Sequence, residues 1–285
     1  RIFNHNVYLS DNKTVHGGAY LKQRTPNATR LKAKINAYAK YNAISAQVVM
    51  QNFMFERLAE RIARSRYASN FVIKGGLLLS LILGLDKRTT MDIDTTIVNY
   101  PMSYDKIIEA MQEIIKIDLN DCVTFEIVSS DAIRKDDAYG GYCLRMNAFF
   151  ESVVTPLFID ITTGDSIVPA PAIFGYRKIF SDELFLVYSY PIETVLAEKL
   201  ETIVTRGAFN TRPRDYYDVH MLTKSVGFDV ETLKRALLAT SKHRQTMDIV
   251  TQEYAQRLNV ISQSDNVRRL WEKYCQNWKR INIDI

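Results

Sequence analysis

"KGGLLLSLILGLDKRTTMDID", Lys74 to Asp94, is the stretch whose reading decides the fold. It opens on a glycine pair, runs through an almost unbroken apolar segment and closes on two aspartates one residue apart. Neighbouring carboxylates repel unless something positive stands between them, so a greasy segment ending on two like charges needs a use for those charges. Just upstream, "NFVIK" (Asn70–Lys74) has the composition of a short strand. Gly75 and Gly76 then predict a tight turn into an apolar helix of about ten residues, buried on most sides. "DIDTTIVNY" (Asp92–Tyr100) predicts the next strand.

Working outward, residues 25–66 have helical periodicity, with Ser45 as an N-cap and Met50, Met54, Phe55, Leu58 and Ile62 on one apolar face. A helix over Ser103–Lys116 turns Ile107, Ile108, Met111, Ile114 and Ile115 to the core. Val123–Val128, Tyr142–Phe150 and Leu157–Thr162 predict strands, punctuated by Gly140, Gly141 and Pro156. This order of elements predicts an α/β (α+β) fold with a mixed, twisted sheet and helices on one side. Beyond Pro191 the pattern changes to long helical periods. The expected organisation is a basic extension over 1–24, an α/β domain over 25–190 and an α-helical domain over 191–285.

The 285 residues carry a net charge of +5, unevenly placed. Residues 1–45 hold eight Lys or Arg, among them Arg1, Lys13, Lys22 and Arg24, against the single acid Asp11. Such an arm is either a solvated terminus or an edge that holds nucleic acid. The absence of an initiator Met implies that residue 1 is not the native start, so residues 1–24 stay out of the fold argument. Cys122, Cys143 and Cys275 lack metal-ligand spacing, and an odd count without a signal peptide reads as reduced thiols in a cytoplasm. The longest apolar run, Gly75–Leu85, falls well short of the ~20 residues that cross a bilayer, so no membrane contact is expected.

In a strand, residues i and i+2 share a face, which sets Asp92 beside Asp94 with Cα atoms ~6.6 Å apart. Such a pair can share one cation or bridge two about 4 Å apart, and hard oxygen donors favour Mg²⁺ or Mn²⁺ over Zn²⁺. "LFIDIT" (Leu157–Thr162) puts Asp160 on the face of Phe158 and Thr162, opposite Leu157, Ile159 and Ile161. Aspartate is disfavoured inside strands, so Asp160 is either an edge gatekeeper or a third carboxylate for the metal. A strand that ends in Gly-Gly at a helix N-terminus is a phosphate cradle, and together these pieces imply a nucleoside triphosphate on Gly75 and Gly76. Arg88 and Thr90 contact its phosphates or order the loop; Lys74 does the same or pairs with a nearby acid.

The helical part supplies the complement. In "TVLAEKLETIVTR" (Thr194–Arg206), Lys199 and Arg206 stand seven apart on one face. In "RPRDYYDV" (Arg212–Val219), Pro213 suits the first turn of a helix and aligns Asp215 with Asp218. Two readings stand: an Arg214–Asp218 pair that only braces the helix, or an Asp215 that fixes Lys199 against the triphosphate. Tyr216 or Tyr217 stacks on a base or fills the seam between the lobes. His220 and His243 read as structural, and Trp271, Tyr274 and Trp278 as helix packing.

"KGGLLLSLILGLDKRTTMDIDTT", "FIDITTGD", "ETVLAEKLETIVTR" and "RPRDYYDVHML", in that order, resemble the AbiEii/AbiGii toxin family. Its members are nucleotidyltransferase-like toxins of bacterial abortive-infection toxin–antitoxin systems, related to the MenT toxins and the DNA polymerase beta superfamily. The resemblance spans roughly residues 30–285 and implies a bilobed, cytoplasmic, monomeric protein with a nucleotidyltransferase-like N-terminal lobe. It also implies metal-dependent transfer of nucleotides from a nucleoside triphosphate to RNA, tRNA 3′ ends foremost. Growth arrest, phage defence and a cognate antitoxin encoded nearby follow from the same likeness. The family's strand–Gly-Gly element falls on Lys74, Gly75 and Gly76, its metal pair on Asp92 and Asp94, its helical lysine on Lys199 and its helix start on Arg214, Asp215 and Asp218. Arg88, Thr90 and Arg206 complete the expected nucleotide contacts, and Asp160 the metal site or a base for the acceptor hydroxyl. One departure stands out: the superfamily usually has Gly-Ser at the turn, whereas Leu77 follows Gly76 here. Sugar-nucleotide glycosyl transfer, nucleotidylation or phosphorylation of a protein, and a non-catalytic nucleotide- or RNA-binding regulator are the alternatives.

Overall fold

The computed structural model describes residues 26–133 and 140–277. The expected basic extension over 1–24 and Trp278 lie outside them. Two helices, α1 (Pro26–Asn42) and α2 (Ala46–Arg64), come first. Their junction is set by Ser45, whose hydroxyl accepts the Gln47 amide at 3.2 Å and so caps α2. There follow β1 (Phe71–Lys74), α3 (Gly75–Leu83), β2 (Ile93–Ile97), α4 (Tyr104–Ile115), β3 (Val123–Ile133), β4 (Gly141–Phe150), β5 (Val153–Thr163), β6 (Ala172–Arg177) and β7 (Leu184–Ser189). The rest is helical: α5 (Ile192–Arg206), α6 (Pro213–Ser225), α7 (Val230–His243), α8 (Tyr254–Ser262) and α9 (Asp265–Asn277). Among the described residues no helix is long and apolar enough to cross a membrane.

The seven strands form one mixed sheet in the order β3-β4-β5-β2-β1-β7-β6. β1 pairs parallel with β7 and β2 parallel with β5; the other neighbours are antiparallel. The α/β (α+β) class predicted from the sequence is the one observed. Alternation on β5 is as expected: Leu157, Ile159 and Ile161 are buried on the face that α2 packs against, while Phe158 stays exposed on the other. Pro156 lies inside β5 instead of ending it. The pairing with β2 begins only at Ile159, so at Pro156 the strand has β4 alone beside it, and a missing N–H is tolerated there.

β6 and β7 are not anticipated by the sequence reading. In β7, Phe185, Val187 and Ser189 point inward, but the outward Leu184 and Leu186 are apolar too, which hides the period of two. Gly175 and the exposed Ile173 similarly blur β6.

At the middle of the sheet a polar knot ties three strands together. Lys74, at the end of β1, is buried; its Nζ donates to Thr162 Oγ1 on β5 at 2.7 Å and pairs with Asp165. Thr96 on β2 donates to the same carboxylate and lies 3.1 Å from the Tyr190 hydroxyl. Of the two readings offered for Lys74, the structure therefore contains the ion pair with a nearby acid.

Burial pushes the Asp165 carboxyl up, but the Lys74 charge and the hydrogen bonds from Lys74, Thr96 and Tyr190 outweigh it and hold it below the usual carboxylate range. A carboxylate depressed on folding stabilises above its unfolded value, about 4, and loses that contribution as pH falls through its folded value. Asp165→Asn, which strands a buried lysine, is expected to cost roughly 3–5 kcal/mol at neutral pH. Urea titrations from pH 8 to 5 should return a constant difference from wild type, which shrinks only as pH drops below about 4.

Candidate active site

The glycine turn is built against the aspartates. Gly75 has φ +61°, a left-handed conformation, and a Cβ there would lie 1.9 Å from Asp94 Oδ2. At Gly76 a Cβ would lie 2.3 Å from Thr90 Oγ1. Both positions exclude a side chain because the turn presses on the loop and strand that carry the carboxylates. The Gly76 N–H points to Asp94 Oδ2 at 3.4 Å, so this amide at the α3 N-terminus serves the protein's own carboxylate. Thr90 is buried and donates to Asp92 Oδ1 at 2.8 Å and to the Asp92 carbonyl at 3.0 Å. Its role in the structure is to order the loop.

Asp92 is exposed and immediately precedes β2; Asp94 is half-buried within it. Cross-strand register sets Asp94 between Lys74 on β1 and Asp160 on β5, and Asp160 opposite Cys143 on β4. Burial, then the charge of Asp92, pushes the Asp94 carboxyl up to about 6, with Lys74 and the Gly76 amide pulling the other way and Asp160 adding to the rise. Among the described residues no three His, Cys, Asp or Glu side chains form a group that could hold a metal ion, so Asp160 does not join Asp92 and Asp94 in a ready-made triad. The donor chemistry of the remaining pair still fits a hard divalent cation. Two hard oxygen donors adjoin, one of them strained by the other's charge, and a cation relieves that strain.

The opposite wall comes from α5 and α6. Lys199 Nζ lies 3.1 Å from Asp215 Oδ1 and 2.7 Å from Asp218 Oδ2. Arg88 Nε donates to Asp218 Oδ1 at 2.8 Å, and its remaining reach is spent on the second Asp218 oxygen and the Thr89 carbonyl. Asp218 is fully buried, whereas Arg214 is exposed and makes no ion pair among the described residues. The Arg214–Asp218 brace considered from the sequence is replaced by these longer-range partners. Asp215 does hold Lys199.

Between the walls lies a cleft of 620 Å³, lined by Gly75, Gly76, the loop from Arg88 to Asp92, Asp94, Lys199, the segment from Thr211 to Asp215, and Tyr274. Lys74 instead lines a neighbouring 190 Å³ hollow, and Arg206 a third space. Arg212 and Tyr274 line the cleft without having been expected as site residues. Arg212 stands first in "RPRDYYDV" and, like Arg214, is exposed without an ion-pair partner among the described residues. Tyr274 packs near Tyr217 and Trp271, with ring centroids 6.0 and 5.8 Å away, yet also reaches the cleft. Tyr217 fills the seam, its hydroxyl donating to the Lys87 carbonyl at 3.0 Å, and Tyr216 packs with Ile203, Ile261 and Val267.

A protein-family model described as "Nucleotidyl transferase AbiEii toxin, Type IV TA system" matches residues 57–281. Two solved structures are similar in shape. JHP933 from Helicobacter pylori is 18% identical with a TM-score of 0.45, over 82% of this chain and 97% of that one. An antigenic nucleotidyltransferase-like protein from Paracoccidioides brasiliensis is 17% identical with a TM-score of 0.39, over 72% of this chain and 92% of that one. No curated protein matches the sequence.

Gly75→Ala is expected to lose about 1–2 kcal/mol from the left-handed backbone alone. The clash with Asp94 adds to that cost, so the variant should melt below wild type. A melting temperature lowered by no more than that backbone cost would mean that the turn does not press on Asp94.

Proposed function

The chain belongs to the AbiEii nucleotidyl transferase toxin family, and from that membership we propose that it moves a nucleotide from a nucleoside triphosphate to the 3′-hydroxyl of an RNA. tRNA 3′ ends are the leading acceptor, because blocking them stops aminoacylation and with it growth and phage propagation until the antitoxin restrains the toxin. One observation carries this reading. An acidic wall, Asp92 and Asp94, faces a basic wall, Lys199, Arg212 and Arg214, across a single 620 Å³ cleft. That volume lies within the ~300–1,000 Å³ range of small-ligand sites. A triphosphate suits both walls: its oxygens pair with the cations directly and with the carboxylates through a divalent ion.

In this reading the α/β lobe over 25–190 brings the acids and the helical lobe over 191–285 brings the bases. Asp92 and Asp94 would hold Mg²⁺ or Mn²⁺, which when bound supplies charge neutralisation at the phosphate and lowers the pKa of the attacking hydroxyl. Thr90 keeps Asp92 in place through its 2.8 Å hydrogen bond. Lys199 is fixed by Asp215 and Asp218, so its charge is in position before the transition state forms. Arg212 and Arg214, uncommitted to any acid among the described residues, neutralise the departing pyrophosphate. Arg88 acts at one remove: its guanidinium is taken by Asp218, and it positions the partner of Lys199. The Tyr274 ring offers the cleft an aromatic face for the base.

The test pairs the protein with its Asp92→Ala variant, divalent metal, each α-labelled nucleoside triphosphate in turn and total bacterial RNA. Label should enter a tRNA-sized band with the intact protein only, while both melt at the same temperature. Label in a protein band would replace RNA by a protein acceptor, and turnover by the variant would remove Asp92 from the site. Lys199→Ala should raise the KM for nucleotide and lower kcat; an unchanged KM would show that Lys199 does not meet the nucleotide.

A further inference from the structure

Beyond the cleft lies a hollow of 1060 Å³, walled by the α5 and α7 C-terminal turns and the residues after β5. The two are joined. Arg212 lines the cleft, the 190 Å³ hollow and this larger space; Glu198, Thr202 and Arg244 are common to the last two. Gly75, Asp94, Lys199 and Asp215 are shared in turn by the cleft and the small hollow. The three spaces thus adjoin in series from the aspartates to the large hollow.

The wall of the large hollow is net positive. Asp165 is neutralised by Lys74, while Glu198 shares Arg244, 3.2 Å away, with the buried Glu201, which leaves one carboxylate charge of that cluster uncompensated. Arg206, Arg212 and Lys242 are exposed and have no ion-pair partner among the described residues. Arg206 and Lys242 do sit in the last turns of α5 and α7, where basic residues complement the helix dipole. Each helix end amounts to about half an elementary charge, so two ends balance roughly one of the three cations. With the uncompensated Glu198/Glu201 carboxylate also set against them, the three cations leave a surplus of about one charge, which remains available to an anion.

The shape and lining narrow the choice of anion. The hollow exceeds the ~300–1,000 Å³ usual for a compact ligand. Among its described lining residues Ala239 is the one hydrophobic side chain, accompanied by Ser166, Thr202 and Thr240. A protein partner is normally anchored by buried aromatic or aliphatic side chains, for which this lining offers Ala239 alone as a hydrophobic neighbour among the described residues. A nucleic-acid backbone needs only cations and polar groups. We propose that Arg206, Arg212 and Lys242 form the groove that takes the phosphates of a single-stranded RNA segment whose 3′ end enters the cleft. This rests on the transfer reading of the cleft and adds where its acceptor lies.

The experiment uses a fluorescein-labelled single-stranded RNA oligonucleotide with a free 3′-hydroxyl. Its affinity is read by anisotropy over a range of KCl for wild type, Lys242→Glu and the double variant Arg206→Glu, Lys242→Glu. The double variant should bind at least tenfold more weakly, and the salt slope should fall by roughly 0.7 for each phosphate no longer neutralised. Nucleotide affinity of Lys242→Glu should match wild type, with melting curves confirming the fold. Unchanged RNA affinity and slope would overturn the groove, as would a matching loss of nucleotide binding in Lys242→Glu. A wild type that binds RNA through these residues but transfers no label would refute the transfer reading and leave the groove standing.

Discussion

One buried carboxylate closes the molecule on itself. Asp218 is wholly excluded from solvent and is shared by Arg88, from the loop after α3, and Lys199, from α5. A lone buried charge of this kind is costly; two cations from separate parts of the chain offset it and in doing so fix those parts in register. The cleft exists because that junction holds α6 against the α3–β2 loop. Remove it, and the acidic and basic walls lose their fixed separation. Asp215 adds a second contact to Lys199 from the first turn of α6, which leaves the ammonium little freedom.

The second constraint is steric. Gly75 and Gly76 permit the chain to turn where any side chain would collide with Asp94 or Thr90. The greasy helix behind them, with Leu77, Leu78 and Leu79 buried, anchors the turn in the core. The two aspartates that end the opening segment thus stand over a backbone that cannot retreat. Local chemistry and core packing meet at these few residues.

Much of this was legible in the sequence, and the misses have physical causes. The strand–turn–helix of β1 and α3, the Ser45 cap and the alternation along β5 depend on local spacing, which a sequence displays directly, whereas the Asp215–Lys199 contact joins two helices and stood only as one of two readings. Asp165 stood in the quoted "FIDITTGD", but its partner Lys74 is 91 residues away and no periodicity points to it. The Arg88–Asp218 pair spans 130 residues, and it took the carboxylate that helical spacing alone would have offered to Arg214. Lys199 and Arg206 do share a helix face, yet seven residues of α5 separate them by about 10 Å along the axis, enough to open onto different spaces. β7 was hidden because its outward Leu184 and Leu186 are as apolar as its inward residues, and β6 because Gly175 and the exposed Ile173 break its alternation.

With both spaces occupied as proposed, Arg212 would link them thermodynamically. Its amide donates to Asn210 Oδ1 at 2.9 Å, and the Pro213 ring that follows restricts its backbone, so its side chain pivots from a nearly fixed point. One guanidinium therefore borders both the cleft and the large hollow. An anion bound on either side would claim or release it, which would make the affinities of the two spaces interdependent. Reciprocity then requires that whatever one occupant does to the other's binding is returned by the same factor.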